Sequence, residues 1–204
     1  AVYANSGVWK FKDCTIKNNS STGASGAFHM EADTEVSISG GSFETNTAVS
    51  DGGAMRVASK SFVADDVDFI GNKGAQTTAG NSQGGAIYFA NNESGSERTV
   101  SNCLFKENTV DAAHAVYSTE TNGTKNYVRG GAVYIQSSSP NVVFTTCTFE
   151  SNKQLNATES YKTFGGGAIY ATKSFTATGC TFKTNDAYQF GAIGIENGTV
   201  SING

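Results

Sequence analysis

Gly84-Gly85-Ala86-Ile87-Tyr88, followed by Phe105-Lys106-Glu107-Asn108, is rewritten downstream twice. It returns as Gly130-Gly131-Ala132-Val133-Tyr134 with Phe149-Glu150-Ser151-Asn152, and as Gly166-Gly167-Ala168-Ile169-Tyr170 with Phe182-Lys183-Thr184-Asn185. Working outward, the opening alanines fall at Ala1, Ala27, Ala54, Ala86, Ala132, Ala168 and Ala192, spaced 26, 27, 32, 46, 36 and 24 residues apart. The second element recurs as Ile16/Asn19, Phe43/Asn46, Phe69/Asn72, Phe105/Asn108, Phe149/Asn152 and Phe182/Asn185. Self-similarity at this period is the signature of a solenoid.

Within each repeat the apolar residues alternate. The first and third positions after each Ala are Val2/Ala4, Phe28/Met30, Met55/Val57, Ile87/Phe89, Val133/Ile135, Ile169/Ala171 and Ile193/Ile195. Period-2 alternation marks a strand with one buried face. A second strand carries Trp9/Phe11, Val36/Ile38, Phe62/Ala64, Arg98/Val100, Val142/Phe144 and Phe175/Ala177, and a third carries the Phe itself. Three short strands per turn and no helical segment predict an all-β chain. It is a parallel β-helix, right-handed like most such coils, of about six and a half rungs. Residues 1–204 read as a single segment of it, an excerpt from a longer array.

In-register stacking then assigns the repeated residues. Phe43, Phe69, Phe105, Phe149 and Phe182 form a buried column that contributes apolar burial and offset stacking. Asn19, Asn46, Asn72, Asn108, Asn152 and Asn185 occupy a corner, where Asn tolerates left-handed backbone and its amide bonds to the Asn above and below. Cys14, Cys103, Cys147 and Cys180 share the site two residues before the Phe or Ile. Cys103, Cys147 and Cys180 lie on successive rungs, as a buried thiol ladder or, with local distortion, one disulfide within the triplet. His29 and His114 lack ligand spacing to a Cys pair, so no zinc site and no cofactor is expected.

A net charge of −4 and a pI near 5.2 leave no electrostatic footprint for nucleic acid. No apolar run is long enough to span a bilayer, so direct membrane insertion by this segment is not expected. With 24 Gly, one Pro and only 16% charged residues, the composition suits short strands and tight turns.

Candidate recognition residues lie outside the coil. The position two after each Ala points outward and reads Tyr3, His29, Arg56, Tyr88, Tyr134, Tyr170 and Gly194. Tyr88, Tyr134 and Tyr170 are expected as an exposed stripe suited to sugar rings or a protein partner, flanked by His29 and Arg56. Changing Tyr134 to Ser is then expected to leave folding nearly intact and weaken binding. Length variation gathers at one corner, with insertions at 73–83, 109–129 and about 153–164 that carry Tyr117, Tyr127 and Tyr161. Loops gathered on one face often form a binding surface. Asp65, Asp66 and Asp68 cluster, but neighbouring rungs supply no facing carboxylate of the kind glycoside hydrolysis requires. No catalytic residue is assigned.

The ordered recurrence of Gly-Gly-Ala-Ile (84–87, 166–169) and Phe-x-x-Asn (105–108, 182–185) resembles the repeats of the chlamydial polymorphic outer membrane proteins. The resemblance implies a β-helical passenger on a cell surface with an adhesive role, and covers nearly the whole chain. The expected partners are a glycan or protein on a cell surface. The alternatives are a stalk or filament of copies stacked end to end and, third, a polysaccharide-active enzyme.

Overall fold

The computed structural model describes residues 1–75, 80–92, 95–113, 126–156 and 164–204. Among the described residues every regular element is a strand. All strand pairs are parallel, as a coil that returns on itself requires. On the first face, Met55–Val57, Ile87–Phe89, Val133–Ile135, Ile169–Ala171 and Ile193–Ile195 pair in that order. On the second, Ser61–Asp65, Arg98–Ser101, Val142–Thr145, Phe175–Thr178 and Val200–Asn203 do the same. The third stacks Asp68–Ile70, Leu104–Lys106, Thr148–Glu150 and Thr181–Lys183. Val2–Lys17 and Phe28–Glu44 run through all three faces as long strands. The chain is therefore the parallel β-helix that its repeats predict.

Two further sets of strands extend the three expected per rung. Ser20–Ser21, Thr47–Ala48, Lys73–Ala75, Thr109–Asp111 and Lys153–Leu155 pair just past the Asn corner. Ser82–Gln83, Val128–Arg129 and Phe164–Gly165 pair just before the Gly-Gly turns. At two or three residues each, they are too short to show an alternation in sequence. Both sets fall partly within the stretches expected as insertions, so those loops are narrower than their sequence outlines.

The interior is a set of stacked columns. Ring centroids of Phe69, Phe105, Phe149 and Phe182 follow one another at 4.8, 4.8 and 4.9 Å, with planes within 4° of parallel. Burial of each ring contributes about 1.5–3 kcal/mol and stacking about 0.5–1.5 more. The Asn column makes a continuous chain: the Asn72 backbone N–H and Nδ2 both donate to Asn108 Oδ1, and those of Asn108 donate to Asn152 Oδ1, all at 3.0 Å. From Asn72 to Asn185 each Nδ2 also donates to a Phe carbonyl, as Asn108 does to Phe69 at 2.8 Å, while Asn46 donates to the Ile16 carbonyl.

The left-handed backbone expected at these Asn residues falls one residue earlier, on Asn18, Thr45, Gly71, Glu107, Ser151 and Thr184. The turn itself tolerates several residue types, whereas the interior amide chain accepts only Asn. The two glycines of each Gly-Gly pair are likewise required for different reasons. Gly84 is left-handed (φ 70°), while a Cβ on Gly85 would fall on the Gly131 carbonyl oxygen of the next rung.

Arg98 breaks the apolar interior. It pairs in register with Phe62 and Val142, as its sequence position predicts, and is wholly buried. Its guanidinium donates to the Ala90 carbonyl (2.9 Å), the Ser139 hydroxyl (2.9 Å) and the Ser59 carbonyl (3.2 Å), tying three rungs together. Burial, with Arg56 adding to it, lowers its pKa to about 9.

Candidate functional site

The outward column forms in the predicted register: Tyr3, His29, Arg56, Tyr88, Tyr134, Tyr170 and Gly194 pair successively across the first face. The expected exposure of the tyrosines does not hold. Tyr88, Tyr134 and Tyr170 keep only 7%, 5% and 7% of their surface in solvent. They cluster with Ala58 and Ala90 and stack on one another, at 5.2 Å between Tyr88 and Tyr134 and 6.3 Å between Tyr134 and Tyr170. The Tyr88 hydroxyl donates to Gln136 Oε1 at 2.9 Å, an oxygen that also accepts the Asn91 N–H. Burial raises the pKa of both Tyr88 and Tyr170. The rings point away from the coil but form a packed pad, because an aromatic ladder beside small residues is covered by its own neighbours.

Arg129 closes one end of that pad. It lies in the strand leading from the longest insertion into the first face, 4.6 Å from the Tyr170 ring centroid and 4.2 Å from that of Tyr127. Its Nη1 pairs with Glu196 at 3.1 Å. Tyr127 is thereby assigned to the foot of the insertion. Tyr117 and Tyr161 lie outside the described residues, as does His114.

At the other end the column turns polar. His29 Nδ1 is 3.3 Å from the Ser25 hydroxyl, while Nε2 lies 3.1 Å from Glu31 and 3.2 Å from Arg56 Nη1. Arg56 also faces Glu31 at 3.9 Å and lies over the Tyr88 ring at 6.0 Å. Burial and the Arg56 charge lower the His29 pKa, with Glu31 opposing them. The neutral imidazole can accept from Arg56 or donate to Glu31 through Nε2, but not both.

Asp51 completes this group, and sequence reasoning missed it. Its Oδ1 is sealed from solvent with no hydrogen-bond partner, and burial raises its pKa to about 7 against the pull of Arg56. A signal was present: aligning the Gly-Gly pairs places Asp51, Gln83 and Arg129 in one position beside the tyrosine column. Glu31 likewise shares its position with Gln136, Thr172 and Glu196, whereas Ser25 aligns with the glycines Gly52, Gly84, Gly130 and Gly166 and carries no such signal.

In the Asp65–Asp68 cluster, burial raises the Asp68 pKa, with the charges of Asp66 and of Glu44 on the neighbouring rung adding to it. Asp65 accepts from the Ser101 hydroxyl at 2.6 Å and Asn102 Nδ2 at 2.9 Å, which hold its pKa down. All four cysteines are free thiols, with Cys103 and Cys147 buried and Cys14 and Cys180 half-buried. Among the described residues no group of three or more His, Cys, Asp or Glu is arranged to hold a metal ion.

The insertion stems are stacked. Lys73–Ala75, Thr109–Asp111 and Lys153–Leu155 lead out in register, and Ser82–Gln83, Val128–Arg129 and Phe164–Gly165 lead back in register. The stems of three successive rungs thus lie along a single edge of the coil.

The family model described as right handed beta helix region matches residues 1–187. No curated protein and no solved structure matches the chain. Stacked parallel strands, the columns inside them and a family match over most of the length agree: the chain belongs to the right-handed β-helix family.

Proposed function

We propose that this chain is an extracellular or cell-surface recognition β-helix, adhesin-like and non-enzymatic, that binds a glycan or protein through the insertions along one edge. The observation that carries the reading is the in-register stacking of the insertion stems on three adjacent rungs. A rigid coil that presents variable loops side by side builds a continuous surface at little ordering cost. The resemblance to repeats of cell-surface proteins supports the same location. The tyrosine pad contributes by supporting the coil beside that edge rather than by touching a ligand.

A second reading, a polysaccharide-active enzyme, draws on Asp51. A carboxyl with a pKa near 7 within reach of the Arg56 charge has the proton affinity of a general acid at neutral pH. One experiment decides between them. The whole chain is incubated with a broad glycan panel and with cultured cells, with and without Ca²⁺. Saturable binding without released product is the expected result; product release, or no binding to any surface, overturns the recognition reading.

A further inference from the structure

At the corner that leads into the third face, three thiols stack. Cys103, Cys147 and Cys180 stand two residues before the stacked rings of Phe105, Phe149 and Phe182, on successive rungs. The Thr148 N–H donates to the Cys103 carbonyl at 2.9 Å and the Thr181 N–H to the Cys147 carbonyl at 2.8 Å, which sets the three cysteines one above another. Packing alone does not ask for sulfur there. Val67 fills the same position one rung earlier and is wholly buried.

The sulfurs face one another. The Cys147 thiol shares a hydrogen bond with Cys103 on one side and with Cys180 on the other. Cys180 Sγ also accepts the Cys147 backbone N–H at 3.4 Å, a donor that stabilises negative charge on sulfur. Cys103 and Cys147 are buried whereas Cys180 is half-buried, so the column opens to solvent at its Cys180 end. Adjacent strands lie about 4.7–4.9 Å apart, and two metal–sulfur bonds of about 2.3 Å laid end to end span about 4.6 Å. Structural zinc takes four ligands, and among the described residues no such set is present. A soft ion held by two thiolates in line makes a smaller demand, which this column meets.

We propose that Cys147 and Cys180 form a two-coordinate binding site for copper(I), a soft monovalent ion that thiolate sulfur selects. The ion enters at Cys180 and bridges the two sulfurs. Two copper–sulfur bonds form as two S–H bonds break, both protons leave to solvent, and copper stays in the +1 state, so no oxidant or reductant takes part. Those protons are firmly held. The Cys147 pKa is pushed up to about 12, chiefly by the Cys103 thiol, and that of Cys180 is raised, chiefly by its hydrogen bond with Cys147 and then by burial. Displacing two protons makes the binding strengthen with pH, by up to about a hundredfold per pH unit. The site goes beyond the recognition reading and shares no residue with the insertion edge.

The test titrates the reduced whole chain with copper(I), in the absence of oxygen, against a coloured copper(I) chelator. Near-ultraviolet absorption reads the thiolate–copper bonds, and melting of the same samples reads the fold. One ion held per chain is the expected result, with binding about tenfold or more tighter when the pH is raised by one unit. Cys180→Ser and Cys147→Ser are each expected to weaken it about a hundredfold or more, and Cys14→Ser to leave it unchanged. Cys180 is half-buried, so Cys180→Ser decides the matter should Cys147→Ser fail to fold. An equal amount of zinc is expected not to displace the copper. The proposal is overturned if the reduced chain loses all its copper to the chelator, if folded Cys180→Ser keeps the ion, or if Cys14→Ser loses it. Binding that ignores pH, or that yields to an equal amount of zinc, overturns it as well.

Discussion

A single side-chain oxygen, Asn108 Oδ1, receives both the backbone N–H and the Nδ2 of Asn72 at 3.0 Å. The contact repeats along the column, so each amide is both the end of one rung and the start of the next. Asn108→Leu removes the acceptor for two buried donors and the donor to Phe69 and Asn152. It is expected to cost roughly 3–5 kcal/mol, read as a lowered urea midpoint with unchanged slope. A loss below about 1 kcal/mol would show that the column is incidental to the fold.

Arg98 is predicted to be a structural tie between rungs. Arg98→Met keeps most of the volume but strands the Ser59 and Ala90 carbonyls, and should cost about 2–4 kcal/mol; Arg98→Ala adds a cavity and should cost about 1 more. Equilibrium unfolding of both variants checks the order.

Burial of the tyrosine pad reverses the expectation drawn from alternation alone. Tyr134→Ser removes a ring packed between two others and is expected to destabilise by roughly 2–4 kcal/mol. Tyr134→Phe keeps the ring and should change stability by less than about 1 kcal/mol. Thermal melting separates the two.

The columns were legible because in-register stacking repeats the same demand on every rung: Phe105 must meet Phe69 and Phe149, and Asn108 must meet Asn72 and Asn152. What alternation cannot reveal is what lies above an outward residue. Tyr170 faces away from the core yet is covered, because Arg129, distant from it in sequence, folds over its ring. Asp51 escaped notice because its aligned residues, Gln83 and Arg129, differ from it in charge, so only the polarity of the position repeats, and Glu31 is matched in charge only by Glu196 at the far end of the column.

Asp51 gives the stability a distinct pH dependence. A carboxyl whose folded pKa exceeds its unfolded value holds its proton more tightly when folded. Its contribution is fully present below about pH 4 and is lost as the pH rises through about 7. Asp51→Asn should therefore melt higher than the parent at about pH 8 and close to it at about pH 4. The same difference at both pH values would show that the carboxyl does not hold its proton in the fold.

Cys147 should resist alkylation in the folded protein. Its pKa is pushed up to about 12, chiefly by the Cys103 thiol and by burial, although a hydrogen bond with Cys180 pulls the other way. Half-buried Cys14 should react with iodoacetamide near pH 8 well before Cys147, and peptide mapping of the labelled chain reads the order.

The division between a self-sufficient coil and a recognition edge is tested most directly by the affinity of a chain in which residues 114–125 are replaced by a short Gly-Ser tie. It is measured on the glycan or cell surface that the intact chain binds, with melting followed on the same sample. The account predicts binding weakened by about tenfold or more and a melting temperature within a few degrees of the parent, since the stems stay paired on both sides. Undiminished binding by the folded variant would contradict it.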